Sequence, residues 1–333
     1  MPEDRFLLVR MSSLGDIVHT LPAAAALRES FPQARIDWLV DRRWQALLSG
    51  NSDLSHVVTV NRGDWWGIGA CIRELRSADY GCALDFQSLY RSAILAYASG
   101  ARRRVGFDRE YVREGLASLL YTQKVHPAGA HKIEHNFSLV EAVGARKIPV
   151  RFPLRIPAEV EEKIQAQLRA NQISEFYAFS PGGGWASKCW PAERYAELHR
   201  ALAHRHAWRG VLSFGPGERE LAERVRKSAG SPEPLLLEMD LPQLMALLRR
   251  AKFFVAADTG PLHLASALGT PVVGLYGPTD PTRNGPYSPM DIVVRNARPE
   301  ETTYQRGASH SESMLSITVT QVVEAIERRL GMA

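Results

Sequence analysis

Cysteine is scarce in this chain. The three present, Cys71, Cys82 and Cys189, are far apart and odd in number, which excludes a disulfide framework and a thiolate zinc site. Nowhere do about 18 or more uncharged apolar residues follow one another, so no membrane-spanning helix is expected. The opening MPEDRFLLVR carries acids and is expected not to act as a secretory leader. There is no DxD carboxylate pair and no HExxH, so a divalent ion bridging a diphosphate lacks its usual ligands, and no metal or cofactor is expected. No period of about 20–50 residues repeats, which excludes a solenoid. Excess charge is also small: 41 basic against 36 acidic residues gives +5. That favours anionic small molecules or an anionic membrane face and is too little to argue for nucleic acid. A cytoplasmic, disulfide-free protein is the expectation.

The chain has 333 residues, more than one core usually holds, and 45% of them are hydrophobic, enough to bury two. Short apolar runs at 6–10, 36–40, 57–60, 82–86 and 102–107 are separated by helix-like segments. This alternation predicts parallel strands with crossover helices. Residues 151–174, with spaced prolines and a charged helix, read as a linker. The alternation restarts at 176–180, 210–214, 234–238, 253–257, 271–276 and 292–294. Thr318-Val319-Thr320-Gln321 resembles a capping box, and Val322, Val323, Ile326 and Leu330 share one helical face. The fold class is therefore α/β: open parallel-sheet domains at 1–155 and 156–315 with a cleft between them, and a C-terminal helix at 316–333 packing back on the first. In such sheets ligands sit outside the carboxyl ends of the strands, so chemistry is sought in the loops that follow them.

Four such loops stand out. After the first strand comes Ser12-Ser13-Leu14-Gly15-Asp16-Ile17-Val18-His19. Asp16 is either a helix N-cap or a carboxylate that takes a proton from an acceptor hydroxyl. His19, one turn on, is a structural or polar neighbour. The second loop, Pro181-Gly182-Gly183-Gly184-Trp185-Ala186-Ser187-Lys188, has glycines that let a backbone approach an anion and a lysine beside them. It is not a P-loop, and a solvated lysine remains the alternative. Gly215-Pro216-Gly217-Glu218 narrowly misses the dinucleotide fingerprint, since Glu220 stands where a third glycine belongs, and this counts against a dehydrogenase. Glu218 is a surface charge or an acceptor for a ribose diol. The fourth loop is the most informative: an apolar strand ends in Asp258-Thr259-Gly260-Pro261-Leu262-His263, where a helix start and a histidine face a pyrophosphate, or the histidine is simply packed. Leu275-Tyr276-Gly277-Pro278-Thr279-Asp280-Pro281 is a rigid turn lining the same site. Residues 302–314 read as a mobile polar segment.

SSLGDIVHTLPA, DFQSLYRSA, REGLASLLY, KCWPAERYAEL, AKFFVAADTGPLHLASA and LYGPTDP together resemble the ADP-heptose:lipopolysaccharide heptosyltransferases of glycosyltransferase family 9, most closely its heptosyltransferase I branch. The resemblance implies a GT-B fold, with the acceptor in the first Rossmann-like domain and the nucleotide sugar in the second. It implies inverting, metal-independent transfer of heptose from ADP-heptose to the Kdo of a Kdo–lipid A acceptor. By the same resemblance Asp16 is the general base. Gly183, Gly184, Lys188, Glu218, Met239, Asp258, Thr259, Gly260 and His263 contact the donor, the two glycines through backbone alone. Ser13, Gly15, Arg91 and Arg113 face the acceptor. Trp65-Trp66 beside Arg62 is either a contact with the inner-membrane face or a packed aromatic pair. Alternatives are another family 9 enzyme with a different sugar or acceptor, and a nucleotide-binding module without catalysis.

Overall fold

The computed structural model describes residues 5–61, 65–112 and 114–332. The chain divides into two compact units, 1–155 and 156–333. In the first, the strands are β1 (Arg5–Val9), β2 (Arg35–Asp41), β3 (His56–Val60), β4 (Cys82–Asp85), β5 (Arg103–Phe107) and β6 (Gln123–Val125). Its α-helices are α1 (Leu14–Ser30), α2 (Gln45–Leu48), α3 (Trp65–Ser77), α4 (Tyr90–Ala98) and α5 (Lys132–Glu141). The strands form one parallel sheet in the order β3-β2-β1-β4-β5-β6.

The second unit has β7 (Phe176–Ser180), β8 (Arg209–Phe214), β9 (Leu235–Glu238), β10 (Phe254–Ala257), β11 (Val272–Tyr276) and β12 (Ile292–Arg295). Its helices are α6 (Ala158–Ala170), α7 (Ala192–Arg205), α8 (Arg219–Ala229), α9 (Leu241–Leu248), α10 (Gly260–Ala267), α11 (Pro281–Asn284), α12 (Glu312–Leu315) and α13 (Val319–Arg329). The sheet, again all parallel, runs β12-β11-β10-β7-β8-β9, the same connectivity as the first.

Parallel sheets carry helices on both faces, which is why the central strands FLLV, CALD, FYAFS and FVAA are apolar runs without alternation, all buried. In each sheet the strand order reverses once, between β1 and β4 and between β7 and β10. Chains leave those neighbouring strands in opposite directions, opening a crevice at their carboxyl ends.

Two expectations change, and one strand was not anticipated. Helix α6 packs on α9 within the second unit through Ile164 and Leu168, so 158–170 is part of that unit rather than linker. Helix α13 buries Val322, Val323 and Ile326 in the core of the second unit, beside Tyr195, Leu198 and Val273, which corrects the expected docking on the first. The reason is compositional: its apolar face fits the uncovered side of β11 and β12, within the same unit. Strand β6 had no expectation, being three residues long with an exposed lysine in the middle.

Candidate functional site

In the first unit the site begins where β1 ends. Arg10 to Ser13 cross from strand to helix, and α1 starts at Leu14 with Ser13 as its N-cap. Asp16 is therefore three residues inside the cap position, not at it. Its Oδ2 reaches back to accept from Ser13 Oγ (2.7 Å) and Ser13 N–H (3.2 Å). Its Oδ1 lies 2.6 Å from Arg10 Nη2 and 2.5 Å from Lys132 Nζ. Burial pushes the Asp16 carboxyl upward, but Arg10 and Lys132 together outweigh it and hold the group well below the usual carboxylate range.

The β4 end fixes this loop. Gln87 Oε1 accepts from the Met11 and Ser12 N–H groups at 2.7 and 3.3 Å, and Arg10 Nη1 donates to the Phe86 carbonyl. Buried Asp85 anchors that segment by accepting from the Gln87 and Ser88 amides and from Tyr121 Oη (2.7 Å). The loops on either side of the first switch point are thus bonded to each other. Helix α5 locks against α1 through Asn136 Nδ2, which donates to the His19 carbonyl and to Thr20 Oγ1. His19 is buried edge-to-face with His131. Gly15 is buried in the first turn of α1. Arg91 stands on the exposed face of α4, outside the ion-pair cluster on Asp16. Arg113 and Arg62 fall outside the described residues, as do the side chains of Trp65 and Trp66.

The second site spans the other switch point. Lys188, in the 3-10 turn Ala186–Lys188 after β7, reaches the end of β10: its Nζ is 2.5 Å from Asp258 Oδ2 and 3.0 Å from the Asp258 carbonyl oxygen. The same ammonium sits over the Trp185 ring at 4.6 Å. This is a pinned lysine, not a solvated one. Asp258 Oδ1 accepts from His263 Nε2 (3.1 Å) and Asn284 Nδ2 (2.9 Å). Burial raises the Asp258 carboxyl, yet His263 and Lys188 overcome that and leave it well below its ordinary value. Thr259 is the N-cap of α10 without a side-chain cap bond, and its Oγ1 is buried with no hydrogen-bond partner. A buried hydroxyl left so is costly unless something joins it.

The glycines after β7 serve different ends. A Cβ on Gly182 would come within 2.0 Å of Glu218 Oε1, and one on Gly183 within 2.8 Å of Cys189 Sγ, whereas Gly184 faces open space. Glu218 Oε2 accepts from Gly215 N–H at 2.9 Å, so that carboxylate is folded in against Gly182 instead of lying on the surface. Met239 is buried at the end of β9, its amide donating to the Phe214 carbonyl.

Residues 302–314 are held, which corrects the mobile reading. Gly307 N–H donates to Ser187 Oγ, Ser311 Oγ to the Ser187 carbonyl and His310 Nδ1 to the Cys189 carbonyl. Arg306 lies over Trp185 at 5.8 Å. Serines and glycines gave no apolar pattern to read, but their short side chains are what lets two backbones come together here. Sequence reading also missed Arg10, Gln87, Lys132 and Asn284. Lys132 is 116 residues from Asp16, and nothing local to HKIEH announces the pairing.

The profile of glycosyltransferase family 9 (heptosyltransferase) matches residues 68–313. Lipopolysaccharide heptosyltransferase 1 of Escherichia coli K12 is 31% identical over 316 residues, covering 88% of this chain and 94% of its own. The structure of E. coli heptosyltransferase WaaC with ADP-2-deoxy-2-fluoro heptose is 29% identical with a TM-score of 0.77, covering 97% of this chain and 99% of that one. The family 9 glycosyl transferase of Veillonella parvula DSM 2008, 21% identical, shares the fold with a TM-score of 0.87 over 100% of this chain and 99% of that one.

Proposed function

The chain belongs to glycosyltransferase family 9 and has the GT-B fold, and from that premise we propose that it transfers L-glycero-D-manno-heptose from ADP-heptose to the Kdo of a lipopolysaccharide inner core. Membership of the family makes the chain a glycosyltransferase. The observation that carries it is that each unit holds a charged cluster on a strand-end loop at its own switch point, a carboxylate between cations in the first and a lysine–aspartate–histidine cluster in the second.

In the proposed reaction the acceptor oxygen bonds to the anomeric carbon as the carbon–diphosphate bond breaks. The bonding pair leaves with ADP, and Asp16 takes the acceptor proton. Attack from the side opposite the leaving group inverts the anomeric centre. Charge building on the diphosphate would be met by Lys188, by the amides of Gly183 and Gly184 and by the start of α10 at Thr259 and Gly260. Asp258 is itself an anion and is better suited to aiming Lys188 and His263 than to touching phosphate. Glu218 would take the ribose and Met239 would lie against adenine. Ser13, Gly15, Arg91 and Arg113 remain the proposed acceptor contacts. Transfer without a divalent ion is part of the same proposal, since these cations and amides supply the positive field a metal would otherwise give.

The test is ADP release from ADP-heptose with Kdo2–lipid A, with and without EDTA, alongside Asp16→Ala. Wild-type release that persists in chelator and drops by about 10²–10⁴ in the variant supports the reading. No release from wild type, or undiminished release from Asp16→Ala, sinks it. Such an acceptor is membrane-anchored, so peripheral contact with the bilayer face belongs to the proposal. Liposome flotation that is weakened by Trp65→Ala and Trp66→Ala checks it.

A further inference from the structure

The Asp16 carboxylate is engaged on every side. Oδ2 is taken by Ser13, and Oδ1 carries two cations at 2.6 and 2.5 Å. A base held so tightly is a poor proton acceptor, and two cations facing one carboxylate leave a surplus positive charge. The two cations differ. Arg10 is fixed: its side chain is 12% exposed, its other Nη donates to the Phe86 carbonyl, and its guanidinium is permanently charged. Lys132 is 31% exposed, a compact charge on a flexible stem, and its ammonium is bonded to Asp16. Its place is not accidental, because Asn136 one turn along α5 pins that helix to α1. The acid nearest to it on the same helix, Glu134, is already occupied by the Ala130 and His131 amides.

We propose that Lys132 binds an anionic group, a carboxylate, that the acceptor carries beside its reacting hydroxyl, and that until then it keeps Asp16 locked. As the ammonium turns to the incoming anion, Asp16 keeps only Arg10 and Ser13 and becomes a better base at the moment the hydroxyl arrives. An uncharged alcohol or water does not draw Lys132 away, so the lock also guards against hydrolysis of the donor. Lys132 is thus a specificity-determining residue toward the acceptor and a positioning residue toward Asp16. The inference rests on the reading of Asp16 as the base of a sugar transfer.

The experiment compares free Kdo with its methyl ester by calorimetry, using wild type, Lys132→Met and Lys132→Arg. Wild type should bind the acid at least tenfold more tightly than the ester. Lys132→Met should lose that preference with its ester affinity unchanged, and Lys132→Arg should keep it. In transfer assays the acid limb of kcat/KM should move to higher pH in Lys132→Met, because Asp16 loses one cation while Arg10 and Ser13 stay bonded to it. Equal binding of acid and ester by wild type, a preference that survives in Lys132→Met, or a lower kcat with an unmoved acid limb overturns the inference. Transfer from ADP-heptose to Kdo2–lipid A is measured on the same wild-type sample. Transfer without acid preference overturns the lock and leaves the proposed function standing, whereas absence of transfer overturns both.

Discussion

At the scale of single residues, the buried charges decide what the molecule can tolerate. Asp258 and Lys188 are 4% and 15% exposed and lie 2.5 Å apart, so neither partner can lose the other cheaply. Asp258→Asn should leave the Lys188 ammonium uncompensated and destabilise the protein by about 3–5 kcal/mol, measured by urea unfolding at neutral pH. The sign with pH follows from its lowered carboxyl: the stabilisation is complete above the unfolded value of about 3.9 and is lost as pH falls toward the folded value. The gap between wild type and Asp258→Asn should therefore narrow below about pH 4. If it stays constant down to the acid transition, the ion pair is not the source of the difference. Asp16 obeys the same logic on the activity side, and the acid limb of kcat/KM assigned to it should lie below the ordinary carboxylate range.

At the scale of elements, what could be read in advance tracks how local the cause was. The strands around both switch points were legible because burial on two faces forces unbroken apolar runs such as FLLV and FVAA. The loops after β1, β7 and β10 were legible because tight turns and helix starts need glycine, proline and small polar residues. Lys132 and the 302–314 strap were not, since each acts on a partner more than 100 residues away through geometry that no spacing rule encodes. Asp16 was expected as a cap or a base, and the structure makes its carboxylate the hub of three partners, Ser13, Arg10 and Lys132. Two outcomes test the elements. Gly182→Ala would force the Glu218 carboxylate away and should weaken ADP binding with little change in Tm, checked by calorimetry and thermal melts. Ile326→Ala opens the core beneath α13 and should cost about 2–5 kcal/mol, seen in the unfolding of the second unit.

At the scale of the whole molecule, one connectivity is used twice, and the two copies carry different charge clusters at their switch points. The first unit holds an acid between two cations, and the second holds a cation between an acid and an aromatic ring. Nucleotide should accordingly be felt by one unit. With ADP at a hundredfold excess over its Kd, amide exchange should slow across 181–188, 215–218 and 258–263, with a ceiling of about 2.7 kcal/mol of added protection. Comparable slowing across 10–19 would contradict the division. Residues 68–313, the stretch matching the family, include every proposed donor position, and Asp16 lies before that stretch.

The thiol of Cys189 has a use of its own. Cys71 and Cys82 are buried, while Cys189 partly reaches solvent next to Lys188, its sulfur donating to the Trp185 carbonyl and packed under Gly183. Burial raises the Cys189 thiol, so alkylation by a reagent such as iodoacetamide should be slow, yet it should reach Cys189 before the two buried cysteines, in the unaltered protein and without any engineered label.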